Sequence, residues 1–115
     1  MESFRLDLTA QVSSDDQTNV TRLAGKLTLE TVHNFISAMR ADPTPRLVLD
    51  MSGVSFLDSA GVGALVQIFV HRKAQGQTFA LVALPRQSDA VMTVAGIKKF
   101  MPIYESVEQA RAAAA

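Results

Sequence analysis

The chain has 115 residues, 48% hydrophobic and 19% charged, and its 11 basic and 11 acidic side chains cancel at neutral pH. That length suits one domain with a core of its own, and the balanced charge lacks the basic footprint of a nucleic-acid or membrane-surface binder. There is no cysteine, which excludes a disulfide framework, a thiolate nucleophile and a cysteine zinc site.

The opening "MESFRLDLTA" lacks the basic start and apolar stretch of a signal peptide. No apolar run approaches the ~20 residues that span a bilayer. The expectation is one cytoplasmic domain over residues 1–115.

Phe4, Leu6, Leu8, Ala10 and Val12 alternate with polar residues, the period of a strand with one buried face. "SSDDQTN" (13–19) supplies turn formers, and "VTRLAG" (20–25) reads as the returning strand of a hairpin. The period then becomes helical, with Leu29, Val32, Phe35, Ile36 and Met39 on one face and Thr28 as the expected N-cap. "ADPTP" (41–45) stops that helix. "RLVLDM" (46–51) is a nearly continuous apolar strand of the kind buried on both faces of a parallel sheet.

After "SGVSFLD" (52–58), read as a loop, a second helix is expected with Val62, Leu65, Val66 and Phe69 inward, closed by Arg72, Lys73 and Gln75 before Gly76 as C′. "TFALVAL" (78–84) is another apolar strand. Ser88 is the expected cap of a short helix carrying Val91, Met92 and Ala95 and ending at Gly96. "FMPIY" (100–104) suits a short edge strand, where Pro102 is tolerated. Ser106 to Gln109 matches a capping box at the start of a last helix, with residues 112–115 expected to fray. The order β-β-α-β-α-β-α-β-α implies an α/β fold with a mostly parallel sheet, right-handed crossovers and an antiparallel first strand.

The stretch "SFLDSAGVGALV" (55–66) sets Asp58 and Ser59 at the start of an apolar helix. A hydrolase elbow needs G-x-S-x-G, and no glycine stands two residues before Ser59. Only His33 and His71 are available as a base, and both fall in amphipathic helices among surface residues. Gly61 and Gly63 form a lone G-x-G without the rest of a phosphate-binding loop, so they read as small residues that let the helix approach the sheet. Two readings of Ser59 remain. It caps the helix, and it can accept a phosphate where free amides and the dipole tolerate one; neither role excludes the other.

The string "LVLDMSGVSFLDSAGVGALV" resembles the signature of bacterial anti-sigma factor antagonists, small members of the STAS family. "RLAGKL" is similar to the family's L-x-G-E-L, and "VALPRQSDAVMTVAGIKKFMPIYESVEQA" to its ending, so the resemblance covers nearly the whole chain. It implies a mixed five-stranded sheet with about four helices packed mainly on one side. It implies no catalytic residue, metal or cofactor. Ser59 would be the phosphorylation site, with Asp58, Ser59, Ala60, Gly61, Val62 and Gly63 contacting the partner. That partner would be an anti-sigma factor with serine kinase activity, bound when Ser59 is unmodified, with a serine phosphatase reversing the mark. The protein itself would be a monomer or weak dimer, with no nucleic-acid or membrane partner. The chain departs from the family pattern at Lys26 and Thr28, where acids are often found. This departure gives weight to a rival, an unphosphorylated adaptor in a larger complex such as a lipid-transport ATPase or a stress-sensing assembly, in which Ser59 only caps.

Overall fold

The computed structural model describes residues 5–12 and 17–114, the side chains of Val12 and Ala114 excepted. Five strands, β1 (Leu6–Val12), β2 (Thr18–Leu27), β3 (Arg46–Leu57), β4 (Thr78–Val82) and β5 (Ile103–Tyr104), lie side by side in chain order. β1 is antiparallel to β2, and the remaining neighbours are parallel. The crossovers carry α1 (Val32–Arg40), α2 (Ser59–Ala74) and α3 (Arg86–Ala95), and α4 (Val107–Ala114) follows β5.

Strand alternation sorts the core into two layers. Leu47, Leu49 and Met51 of β3 face one way and meet Phe35, Leu65, Ile68 and Met92 from α1, α2 and α3. Val48 of β3, with Ala80 and Val82 of β4, faces the other way and meets Ala110 of α4. Among the described residues the first cluster holds 18 buried members and the second 4, so most of the apolar burial that stabilises the fold lies on the three-helix face. The expected mixed five-stranded sheet with helices mainly on one side is the observed architecture.

Several boundaries move, each for a local reason. Phe4 lies outside the described residues, as do 13–16 of the expected turn; residues 18–19 already belong to β2. β1 is an edge strand whose apolar face is only partly covered: Leu6 packs on the core, but Leu8 is 36% exposed and Ala10 is exposed. β3 runs six residues past Met51, so "SGVSFL" is strand rather than loop. β2 follows it through two register irregularities and pairs Leu27 with Leu57. Val54 and Leu57 are consequently core residues, and only Phe56 of that apolar stretch is strongly exposed. Gly25, at φ +121°, lies against β1 so closely that a Cβ would collide with the Arg5 carbonyl.

The helix caps differ as well. α1 starts at Val32, after a turn in which the Thr31 hydroxyl accepts from the Thr28 amide (3.1 Å) and donates to the Lys26 carbonyl (2.8 Å). Thr28 is therefore not the N-cap, and Leu29 stands in the turn, 69% exposed, instead of on the inward face. Pro85, with extended backbone, precedes α3, which puts Ser88 inside the helix, fully buried, in place of capping it. Ala83, at φ +58°, ends β4 two residues before the expected limit. α4 shows the expected box with one shift: Ser106 Oγ accepts from the Gln109 amide, but the Gln109 side chain accepts from Glu105 rather than Ser106. The helix continues to Ala114, and Ala115 lies outside the described residues.

Candidate functional site

The site forms where β3 ends and α2 begins, at the carboxyl edge of the parallel strands, where open α/β sheets place their binding surfaces. Asp58 has extended backbone and is the N-cap of α2. Its Oδ1 accepts from the Gly61 amide (2.8 Å), and its Oδ2 accepts from the Leu29 amide (3.1 Å) in the β2–α1 turn. Its own amide donates to the Leu27 carbonyl at 3.3 Å. One carboxylate thus fixes the first turn of α2 and ties it to a loop 29 residues away.

The capping role therefore belongs to Asp58, and Ser59 is the first helical residue. Ser59 is exposed, and its hydroxyl bonds to no described residue. Helix geometry leaves the amides of Ser59 and Ala60 without an i−4 acceptor. The serine is presented, while the residues around it are fixed.

The first turn divides by direction. Gly61 is buried, and a Cβ there would collide with the Leu27 carbonyl and lie 2.6 Å from Leu57 Cδ1. It is the packing glycine expected from the sequence, and its contacts point into the fold. Gly63 is the opposite: it is exposed, and a Cβ would meet nothing within 4 Å. Close packing on the sheet does not explain it. Val62, 6% exposed, lies between the two directions, and Ala60 and Asp58 are half-buried.

Ser59, Val62 and Gly63 form one wall of a groove of about 540 Å³, and Ala90, Val91, Val94 and Ala95 of α3 form the other. Apart from the serine every lining residue is Val, Ala or Gly, and Val94 is 90% exposed. Ala95, expected to face inward, is one of these exposed lining residues. Leu29, whose amide reaches the Asp58 carboxylate, is 69% exposed. Nothing in the sequence had marked Leu29, Ala90 or Val94 as surface, because apolar residues at helical spacing read as core.

α3 is held against this corner by Gln87. Its amide accepts from Leu57 N–H and donates to Leu57 C=O, each at 2.9 Å, as a further strand would. The residues are 30 apart, so no local pattern reveals the pair. Gln87→Ala orphans both backbone groups, and urea unfolding is expected to show a loss of about 2 kcal/mol. An unchanged midpoint would show that water replaces the amide at no cost.

The two departures from the acidic pattern sit beside this corner. Thr28 is buried, and its hydroxyl donates to Glu30 at 2.9 Å. Lys26 is half-buried and pairs across the sheet with Phe56. His33 is exposed on α1, and His71 lies 12 residues along α2 from Ser59, about 18 Å at the rise of an α-helix. Among the described residues no three His, Asp or Glu side chains are grouped to hold a metal, and no helix is long and apolar enough to cross a membrane.

Comparison with known proteins matches the geometry. The chain is similar to a candidate anti-sigma factor antagonist from Thermotoga maritima, with 20% identity and a TM-score of 0.83 over 90% of this chain and 91% of that one. It is similar to an anti-sigma factor antagonist from Mycobacterium paratuberculosis, with 26% identity and a TM-score of 0.78 over 93% of each chain. The Bacillus cell fate determinant SpoIIAA in its phosphorylated form shares the fold, with 18% identity and a TM-score of 0.68 over 95% of this chain and 100% of that one. The model of the STAS domain family matches residues 9–110. With five strands, four helices and nearly the whole chain accounted for, this protein belongs to the STAS domain family.

Proposed function

We propose that this protein is an anti-sigma factor antagonist, a non-enzymatic binding protein of the cytoplasm whose partner leaves when Ser59 is phosphorylated. One observation carries the reading: an exposed serine with an unengaged hydroxyl stands at the rim of an apolar groove, on a helix start that Asp58 holds fixed. The same fold in SpoIIAA exists in a phosphorylated form, which supports a phosphate mark on such a scaffold. The partner is an anti-sigma factor with serine kinase activity, which transfers the γ-phosphoryl group of ATP to Ser59 Oγ and releases ADP and the hydroxyl proton. A serine phosphatase hydrolyses the ester and restores binding.

The mechanism is electrostatic. A phosphoserine adds about 1.5 to 2 negative charges. Placed against an apolar, partly desolvated interface, those charges cost several kcal/mol, on the order needed to disengage a transient partner. Incubation with the kinase and ATP followed by peptide mapping is expected to place the label on Ser59 and to find none on Ser59→Ala. Undiminished labelling of Ser59→Ala would sink the assignment.

Gly63 provides a separate test. A glycine inside a helix costs roughly 0.5–1 kcal/mol relative to alanine. No neighbour in the fold requires it here. Gly63→Ala is therefore expected to raise the thermal midpoint while weakening binding of the anti-sigma factor, because the added methyl enters the groove. A variant that gains stability and keeps full affinity shows that the groove is not the contact surface.

A further inference from the structure

Asp58 does more than start a helix. Its two carboxylate oxygens are committed to amides of two different elements, Gly61 in α2 and Leu29 in the β2–α1 turn. The rest of that turn is closed on itself and on β2: Thr31 Oγ1 accepts from Thr28 N, and donates to the carbonyls of Lys26 (2.8 Å) and Thr28 (3.2 Å). The Thr28 hydroxyl is spent on Glu30. Of the hydrogen bonds made by residues 28–31, the one from Leu29 N to Asp58 Oδ2 reaches the α2 corner. Leu29, whose amide makes that bond, carries a large apolar side chain that is 69% exposed.

We infer that Asp58 is a latch through which a phosphate on Ser59 releases the Leu29 turn. The inference rests on the phosphorylation reading above and specifies its output. The added dianion is one residue from a carboxylate that already serves two amides. Like charges at that separation repel, and the phosphate oxygens compete for the same first-turn N–H groups. Of the two bonds, Oδ1 to Gly61 sits inside a helix start fixed by the Gly61 contacts with Leu27 and Leu57. Oδ2 to Leu29 is exposed, at 3.1 Å the longer of the two, and joins two separate elements. Repulsion therefore breaks the second. The mark is then read twice, as charge at the groove and as a released Leu29 turn. Asp58 acts as a positioning residue in this, since it works through the turn that it holds.

The measurement is amide hydrogen exchange at Leu29 in the full chain, with Leu49 and Leu65 as core reporters. Phosphoserine is installed at position 59 during translation, so the outcome does not depend on finding the kinase. In Asp58→Asn one oxygen still caps α2, but an N–H₂ group replaces the second acceptor. Both the phosphoserine protein and Asp58→Asn are expected to exchange Leu29 roughly three- to tenfold faster than the unmodified chain, the worth of one exposed hydrogen bond. Combining them is expected to add nothing, because both remove the same bond. The core amides hold their protection; if Asp58→Asn lowers it, Asp58→Ser, which keeps a cap with a single oxygen, takes its place. Unchanged Leu29 exchange in the phosphoserine protein overturns the latch, as do independent, multiplying effects of the phosphate and Asp58→Asn. Neither result touches the labelling of Ser59, and failure of Ser59 to be labelled leaves this measurement standing.

Discussion

Gly61→Ala is expected to lower the free energy of unfolding by about 3 kcal/mol, the upper end of what one added methyl costs in a packed interior. At an exposed helix position the same change is stabilising by roughly 0.5–1 kcal/mol. Here the Cβ is aimed at the backbone carbonyl of Leu27, which cannot step aside without moving β2, and at Leu57 Cδ1, 2.6 Å away. The Asp58 cap bond to the Gly61 amide runs through the same turn, so any outward shift of α2 also stretches that 2.8 Å contact. Urea unfolding, at constant dependence of stability on denaturant, gives the comparison. Gly63→Ala, two residues on, is expected to move the midpoint the other way. If both alanines shift it in the same direction, the close approach of α2 to β2 is not what the first glycine serves.

The second large effect is expected at the other end of α2. Arg72 is 1% exposed, one of the largest fully buried side chains among the described residues. Nε donates to the Thr78 carbonyl (2.9 Å), Nη2 to the Thr44 carbonyl (2.6 Å), and Nη1 stands 3.6 Å from Asp42 Oδ2. Burial pushes the guanidinium below its ordinary range, and Asp42 recovers part of the shift. The planar fork thus joins the loop that enters β3 to the first residue of β4, a geometry that a lysine cannot copy. Arg72→Met keeps the aliphatic stem but orphans two carbonyls and leaves the Asp42 carboxylate buried without its counter-charge. The expected loss is 3–5 kcal/mol, roughly that of removing one partner of a buried ion pair. A loss below about 1 kcal/mol would show that water enters and replaces all three contacts. Ser59, at the opposite end of the helix, is expected to keep its accessibility to modification in the folded fraction.

Much of this molecule was legible in its sequence. Period-2 and period-3.6 patterns placed five strands and four helices in order. The glycines at 76 and 96 marked two helix ends, where they take left-handed backbone at φ +73° and +75°. The motif around Asp58 and Ser59, with its flanking pieces, pointed to the family. The failures share a cause. β3 was cut short because Ser52, Gly53 and Ser55 look like loop, whereas the continued pairing with β2 keeps them extended. α2 is apolar nearly all round: the expected inward residues Val62 and Leu65 are buried, and Val66 and Phe69 pack partly against the core, but the pattern did not show how far the buried face extends. The face that packs includes Gly61, Ala64, Leu65, Ile68 and Arg72, a set that hydropathy alone would not choose.

The sequence by itself determined the order of elements, the absence of thiol chemistry and the presence of a hydroxyl beside an acid at a helix start. Those follow from local propensity and from composition, which need no neighbours. Only the tertiary structure decided that Asp58 caps while Ser59 is left free, that one glycine of the pair packs inward and the other opens on a groove, and that an arginine is buried. Each depends on residues far off in the sequence: Leu29 against Asp58, Leu27 against Gly61 and Thr44 against Arg72. A backbone carbonyl or amide brought close by the fold leaves no trace in the local pattern of side chains.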